Sequence, residues 1–434
     1  MSQSSSAAAT AAPAAATGTP PASASAPVPA PTPATAAAAS SSRRRDTPRE
    51  LRRLTTAVTA FSLVFGLLGL ILFALLTWSM QRSSAATAQT IRIQQIQTDL
   101  LRADANATNA FLVGGLEPAD QRDAYESAID DASQLIAQSA RAEPADQAAL
   151  ARLNVALVSY TDNIELARAN NRQGYPIGAQ YLQIASSDLR SEALPILNNL
   201  VDANAVRASS QMSVTGAIPL AIAELLLLGG LVWMQVWLAR RFKRRFNVPL
   251  ALATCIGLVS LIITTVLLSW AGINLTDIRD GDLADARAAS NARVAANDAK
   301  SNESLTLIAR GSGGSFEEAW KTSAASVSDS ISRFRDLESM WQPYVDVHGQ
   351  IRALDDDGQW DKAVAMATSK SNTAFDGFEQ PIAQLVAQSG AATTAGLNKL
   401  APWMIVGGLL AVAAGIAMAV LGRRGVELRL KEYR

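Results

Sequence analysis

The sequence predicts an all-α membrane protein: four transmembrane helices carry two tandem extracytoplasmic four-helix bundles, continuous with the spans, behind a disordered N-terminal tail. Three observations predict this. Apolar runs at 57–78, 217–238, 248–270 and 402–421 are each long enough to cross roughly 30 Å of hydrocarbon at about 1.5 Å per residue. Two long polar stretches, 79–216 and 271–400, lie between them and place apolar residues at mixed three- and four-residue spacings. Alternating β-branched runs, the mark of strands, are absent from the sequence.

The chain opens on residues 1–50, an Ala/Pro/Ser/Thr-rich stretch: 38 of the first 42 residues are of these four types. Such a segment buries too little apolar surface to offset its ordering entropy, so an unfolded tail is expected. The first apolar run is too long for the core of a secretory leader and lacks a convincing cleavage site, so it reads as a span.

Basic residues set the orientation. Arg43, Arg44, Arg45, Arg49, Arg52 and Arg53 precede the first run, Arg240-Arg241-Phe242-Lys243-Arg244-Arg245 fills the loop 239–247, and Arg423, Arg424, Arg429, Lys431 and Arg434 mark the tail 422–434. All three belong on the cytoplasmic side of a plasma-membrane protein. Acids outnumber bases by 15 to 10 in 79–216 and by 18 to 12 in 271–400, so both stretches are expected outside. Trp78, Trp270 and Trp403 then fall at the outer interface, and Trp233 and Trp237 at the inner one. The formal net charge of zero gives no sign of a nucleic-acid partner, and the basic loop reads as a topology determinant drawn to anionic lipid. The single Cys255 excludes an intramolecular disulfide.

In the first stretch Ile91, Ile93, Ile96, Leu100, Leu101, Phe111 and Leu112 begin a helix that continues the incoming span. Breakers at 114–118, 142–145 and 174–178 divide the rest into three more helices, the last running on into the outgoing span. In the second stretch the breaks are expected at 311–314, near Pro343 and at 355–358.

The two stretches align with each other. Tyr160-x-Asp162 matches Tyr344-x-Asp346, Arg168-Ala169 matches Arg352-Ala353, and Gly174 matches Gly358. Asp104-Ala105 matches Asp298-Ala299, Ala124-Tyr125 matches Ala319-Trp320, and Pro195-Ile196 matches Pro381-Ile382. A unit of span, outer bundle and span, used twice, is expected. Tyr125 to Tyr160 is 35 positions but Trp320 to Tyr344 only 24, so the second unit's middle helices should be shorter by about three turns.

A helix leaving a span, a Gly-rich tip and the run Gly358-Gln-Trp-Asp-Lys-Ala363 resemble the four-helix sensor bundle of bacterial chemoreceptors, without the signalling hairpin of that family. The basic tail, four spans, two outer helical stretches and the run Asn297-Asp-Ala-Lys-Ser-Asn-Glu-Ser-Leu-Thr-Leu-Ile-Ala-Arg-Gly311 resemble, from about residue 45 onward, the actinobacterial GlnX family. That resemblance implies a link between a glutamine-binding solute-binding lipoprotein outside and a soluble Ser/Thr protein kinase inside, reporting extracellular amino-acid supply to 2-oxoglutarate metabolism. The chemoreceptor resemblance admits a homodimer, or one duplicated chain supplying both halves.

No catalytic constellation, phosphate loop, metal-ligand spacing or cofactor motif stands out, and a non-enzymatic role is expected. The lone His348 reads as a helix-face residue. The distal tips are the expected docking surface for an outer protein: Gly114, Leu116, Tyr175 and Tyr181 in the first bundle, and Phe316, Trp320, Asp355, Asp356, Asp357 and Trp360 in the second. Against this, Trp320 and Tyr181 suit core positions and the Asp run a solvated turn. Arg168 and Arg352 suit matched salt bridges or a small-ligand pocket. Glu224 lies within span two, where a carboxyl invites a functional reading. Span four carries Gly407, Ala411, Gly415 and Ala419 on one face, a stripe that lets backbones approach closely. A signal relay, a direct small-molecule receptor and an envelope scaffold all remain open to the sequence.

Overall fold

The computed structural model describes residues 33–114, 117–242 and 247–431, of which 33–51, 241–242 and 428–431 by backbone alone. The tail expectation for 1–32 lies outside the described residues. From Pro33 the backbone is helical, over an Ala-rich stretch with high helix propensity.

Twelve helices are described: α1 (Pro33–Val113), α2 (Ala119–Ala142), α3 (Gln147–Arg172), α4 (Ile177–Asp188), α5 (Leu194–Gln211), α6 (Ile218–Phe242), α7 (Val248–Asp280), α8 (Asp282–Ile308), α9 (Gly314–Ile331), α10 (Arg335–Asp356), α11 (Trp360–Ala367) and α12 (Lys370–Lys431). No strand occurs among the described residues. Four helical segments are long and apolar enough to cross a membrane, as the sequence requires of a multi-pass membrane protein.

The first unit has its four helices where the breakers put them. At the distal end α3 closes on Gly174, at φ +73°: Tyr175 N–H bonds Asn170 O at 2.9 Å and Gly174 N–H bonds Asn171 O at 3.0 Å. In the second unit α10 closes on Gly358, at φ +76°, with Gln359 N–H on Leu354 O at 2.8 Å and Gly358 N–H on Asp355 O at 3.0 Å. These are the two bonds of a Schellman cap, and a side chain at either glycine would strain the left-handed turn. The middle helices are 24 and 26 residues long in the first unit against 18 and 22 in the second, ten fewer in all.

Three junctions differ from expectation. The fourth helix of the first unit does not run into its span: α5 ends at Gln211, and a break over 212–217 precedes α6. Gly216 and Pro219 sit there, one flexible and the other unable to donate to the preceding turn. Pro343 does not end a helix; it lies inside α10, and the break falls at Ser332–Phe334. Gly281 interrupts the passage from α7 to α8. By contrast α12 runs unbroken from the second unit through its span, crossing Pro381 and Pro402 on the way.

α1 and α12 are therefore the two continuous rods, and they pack on each other. In the span their backbones meet: a Cβ added at Gly415 would lie 2.7 Å from Gly66 Cα, and one at Gly407 2.7 Å from the Phe73 ring. The small-residue face of span four is turned onto span one. Glu224 also turns inward; it is 1% exposed beside Gly69 and Ala411, and neither carboxyl oxygen has a hydrogen-bond partner among the described residues. Trp270 and Trp403 meet edge-on at 6.4 Å. Replacing Gly415 with Val forces α1 and α12 apart and is expected to cost about 1–3 kcal/mol, seen as a lower melting temperature of the purified chain; an unchanged melting temperature would contradict the close approach.

Candidate functional site: the polar seam and the distal tips

The first helix of each unit packs against the other. α1 over 83–112 and α8 over 289–307 are buried on almost every side, although both are rich in polar residues. A buried polar group without a partner is costly, so this seam is held by hydrogen bonds and ion pairs. Asp104 of α1 and Asp298 of α8, matched in the sequence alignment, are bridged by one side chain: Arg190 Nη1 reaches Asp104 Oδ2 at 2.9 Å and Nη2 reaches Asp298 Oδ1 at 2.8 Å. Asp104, fully buried, also accepts from Ser186 at 2.6 Å and from Ser301 of the other unit at 2.5 Å. Ser323 donates to Asp298 at 2.6 Å. Burial works against the Arg190 cation, but the two carboxylates outweigh it and hold its pKa above the ordinary value.

Arg190 owes its place to a local defect. Pro195 has no amide hydrogen, so the carbonyl one turn earlier lacks its usual donor. The helix widens into a π turn over Leu189–Ala193, with Leu194 N–H on Leu189 O. Nothing in the sequence marked Arg190, because its acidic partners lie 86 and 108 positions away in the chain.

Toward the spans, Arg293 joins Glu379 at 2.7 Å and Gln95 of the other unit at 3.0 Å. Asp99 lies here with a pKa raised to about 6, burial outweighing Arg102 and Arg293. Toward the distal end, Lys300 Nζ donates to Glu303 and Ser371, each at 2.7 Å. Glu303 faces His348 Nδ1 at 3.1 Å, Glu317 faces His348 Nε2 at 3.2 Å, and Arg352 Nε lies 3.4 Å from the same Glu317 oxygen. Arg352 then reaches Asp355 at 2.6 Å and Asp356 at 2.7 Å. An ionic chain thus links the seam to the distal Asp run.

His348 is not a solvated helix-face residue. It is buried, and Trp320 stacks on it at 3.5 Å with an interplanar angle of 8°. A carboxylate at each ring nitrogen requires both to donate, which is the imidazolium form. Burial opposes that charge, but Glu303 and Glu317 outweigh it and raise the pKa. Burial likewise opposes ionised Glu303, yet Lys300 and His348 lower it to about 2.

The tip residues divide. Tyr175 is exposed, as are Asp356 and Asp357, and Phe316 is half-buried. Asp355 is mostly covered by its bond to Arg352. Trp360 is half-buried, donating to Leu307 O at 2.9 Å under the Arg310 guanidinium. Trp320 is a core residue, 7% exposed and bonded to the Tyr344 hydroxyl, so it presents nothing to a partner. Tyr181 packs on the first unit's core. Leu116 lies outside the described residues. Arg168 is engaged by Glu117 and Glu165, each at 2.9 Å, and by the Tyr125 ring. The cavity beside it, about 70 Å³, has room for a few water molecules.

The pH dependence follows from His348 and Glu303. A raised folded pKa means that His348 stabilises fully below its ordinary 6.5 and loses that contribution as pH rises through the folded value. The lowered Glu303 stabilises above its ordinary 4.5 and loses its contribution as pH falls toward about 2. The melting temperature of the full chain should fall as pH is raised above 6.5, and His348→Gln should flatten that slope; a slope left at the wild-type value would place the titration elsewhere.

Comparison with curated proteins and with solved structures gives no match to the chain. Residues 79–213, the whole helical part of the first unit beyond its incoming span, match the family described as an actinobacterial sensor domain.

Proposed function

We propose that this chain is a non-enzymatic transmembrane relay: both helical units lie outside the cell, and an extracellular amino-acid signal is passed inward from a solute-binding lipoprotein to a cytoplasmic Ser/Thr protein kinase. One observation carries the relay reading. α1 and α12 are each unbroken between the distal region and the opposite ends of their spans, and they touch along the way. Packed helices are stiff, so a displacement at the seam is delivered to the far end as a small shift between the two rods.

The basic clusters at 43–53, 240–245 and 423–434 favour a cytoplasmic position for the receiving ends. There Asn247 Nδ2 bonds Gly425 O at 2.9 Å, which ties the short basic loop to the end of α12. A shift of α12 therefore moves both basic surfaces together. The sensor-domain match supports a sensing role, and the GlnX resemblance supplies the partner classes. Tyr175, Asp356 and Asp357 are the exposed docking groups at the distal end.

The break at 212–217 removes α5 and α6 from the rigid path. Two glycines inserted after Lys399, in α12 just outside its span, should abolish the amino-acid-dependent change in cellular Ser/Thr phosphorylation. The same insertion after Ser213 should leave it. Wild-type responses from the Lys399 insertion would refute transmission through α12.

A second reading, direct sensing of a small molecule, is favoured by a cleft of about 890 Å³ between the two units.

A further inference from the structure

The seam has two sides. On one, the first unit's fourth helix meets α8, and Arg190 bridges Asp104 and Asp298. On the other, α2 of the first unit faces the second unit's fourth helix, the start of α12, and the cleft opens between them. The Pro195/Pro381 match sets the corresponding positions on the fourth helices 186 residues apart, which places Asp376 where the first unit has Arg190. The guanidinium that closes one side is replaced by a carboxylate on the other.

The lining of the cleft shows what is missing. Among the described residues Asp376 and Asp120 line it without an ion pair, and the Asp376 carboxyl is raised by partial burial that Lys300 only partly offsets. Asn297 is 1% exposed, and its Oδ1 has no hydrogen-bond partner; Gln121 Oε1 has none either. Native structures rarely leave such acceptors bare. Of the cations that line the cleft, Arg102 is bonded to Asp99 and Asp131, each at 3.2 Å, and Lys300 to Glu303, while Lys370 is exposed and is outnumbered by Asp376, Asp120 and the two bare amide oxygens. Asn109 Oδ1 accepts from Gln121 of the first unit at 2.9 Å and Asn372 of the second at 3.0 Å, which pins both walls across the cleft. The surplus is one of acceptors, and its natural complement is a hydrogen-bonding cation.

We infer that the cleft between α2 and α12 binds a small solute through its primary ammonium group, with Asp376, Asp120, Asn297 and Gln121 as the receiving residues. An ammonium offers three donors and one charge. In this site it does for the open side what Arg190 does for the closed one, joining the two units. The inference rests on the direct-sensing reading and names the chemistry of that site. An α-amino acid and a diamine share the group.

The test is calorimetric titration of the full chain in detergent with a pool of the twenty α-amino acids, with 1,4-diaminobutane and with propionate. Binding of an ammonium-bearing probe is expected, with affinity lowered about tenfold or more by Asp376→Asn, the loss of a hydrogen bond to a charged group. Asp376 is only partly covered and makes no ion pair among the described residues, so the variant should keep the wild-type melting temperature. Asp376→Arg, which supplies the missing cation from the chain, should abolish binding and raise the melting temperature. Response to the amino-acid pool alone identifies a zwitterion, and response to the diamine a simple amine. Binding of propionate but of neither ammonium probe would overturn the ammonium chemistry while leaving direct sensing intact. Heat from no probe, or binding indifferent to both Asp376 variants, would overturn the site itself; neither result touches transmission through α12, which is read by phosphorylation.

Discussion

Two polar helices buried against each other govern the rest of this structure. α1 and α8 give up solvent on nearly all sides while carrying Gln, Thr, Asn, Asp, Ser, Lys and Glu side chains. A helix polar all round normally stays wet. Here most of the buried polar groups are bonded within their own helix or to a neighbouring one, and the bonds between helices help to place α4, α9, α10 and α12. Asp104 shows the logic: four donors, from Tyr160, Ser186, Arg190 and Ser301, converge on it from both units. Buried ionic contacts of this kind add little net stability compared with apolar packing, but they hold one register against its neighbours.

Within the membrane the same two-rod arrangement is solved by the opposite means. No water is present to compete, and the span helices gain from van der Waals proximity. Gly66, Gly69, Gly407 and Gly415 remove the side chains between α1 and α12 and let their backbones touch. Register at the seam is therefore set by charge, and in the span by shape. A rod held in register at two places by unlike forces transmits displacement between them, because neither contact yields continuously.

The coarse plan was legible in the sequence because each part rested on a local signal. Span length and Gly-containing tips are both written within a few residues of where they act, and Gly174 and Gly358 do close their helices as the breaker pattern implied. What failed was long-range or ambiguous. Pro343 was read as a breaker, yet an interior proline can be carried by a well-packed helix, and Trp341 and Tyr344 beside it are buried in the core. The 212–217 break was missed although Gly216 and Pro219 were in view, because the apolar run nearby dominated the reading. Trp320 stood open between an interface anchor and a core position, because aromatic residues serve cores and surfaces equally well from sequence alone. Arg190, Lys300 and Glu303 escaped notice because a charged residue in a polar helix is unremarkable until its partners arrive from another unit.

The asymmetry of the seam bears on how it can move. The side closed by Arg190 is pinned through a guanidinium between two buried carboxylates, and parting it would leave those charges unpaired at a cost of several kcal/mol. The other side is held near its distal end by the amides of Asn109, Gln121 and Asn372, which are neutral and weaker. In the proposed relay, relative motion of the units would pivot about Arg190, with the larger displacement on the cleft side. The wall that swings there is the beginning of α12, the one helix that continues from the second unit through the span to the basic tail. In that relay the placement of one arginine would determine which of the four spans receives the motion.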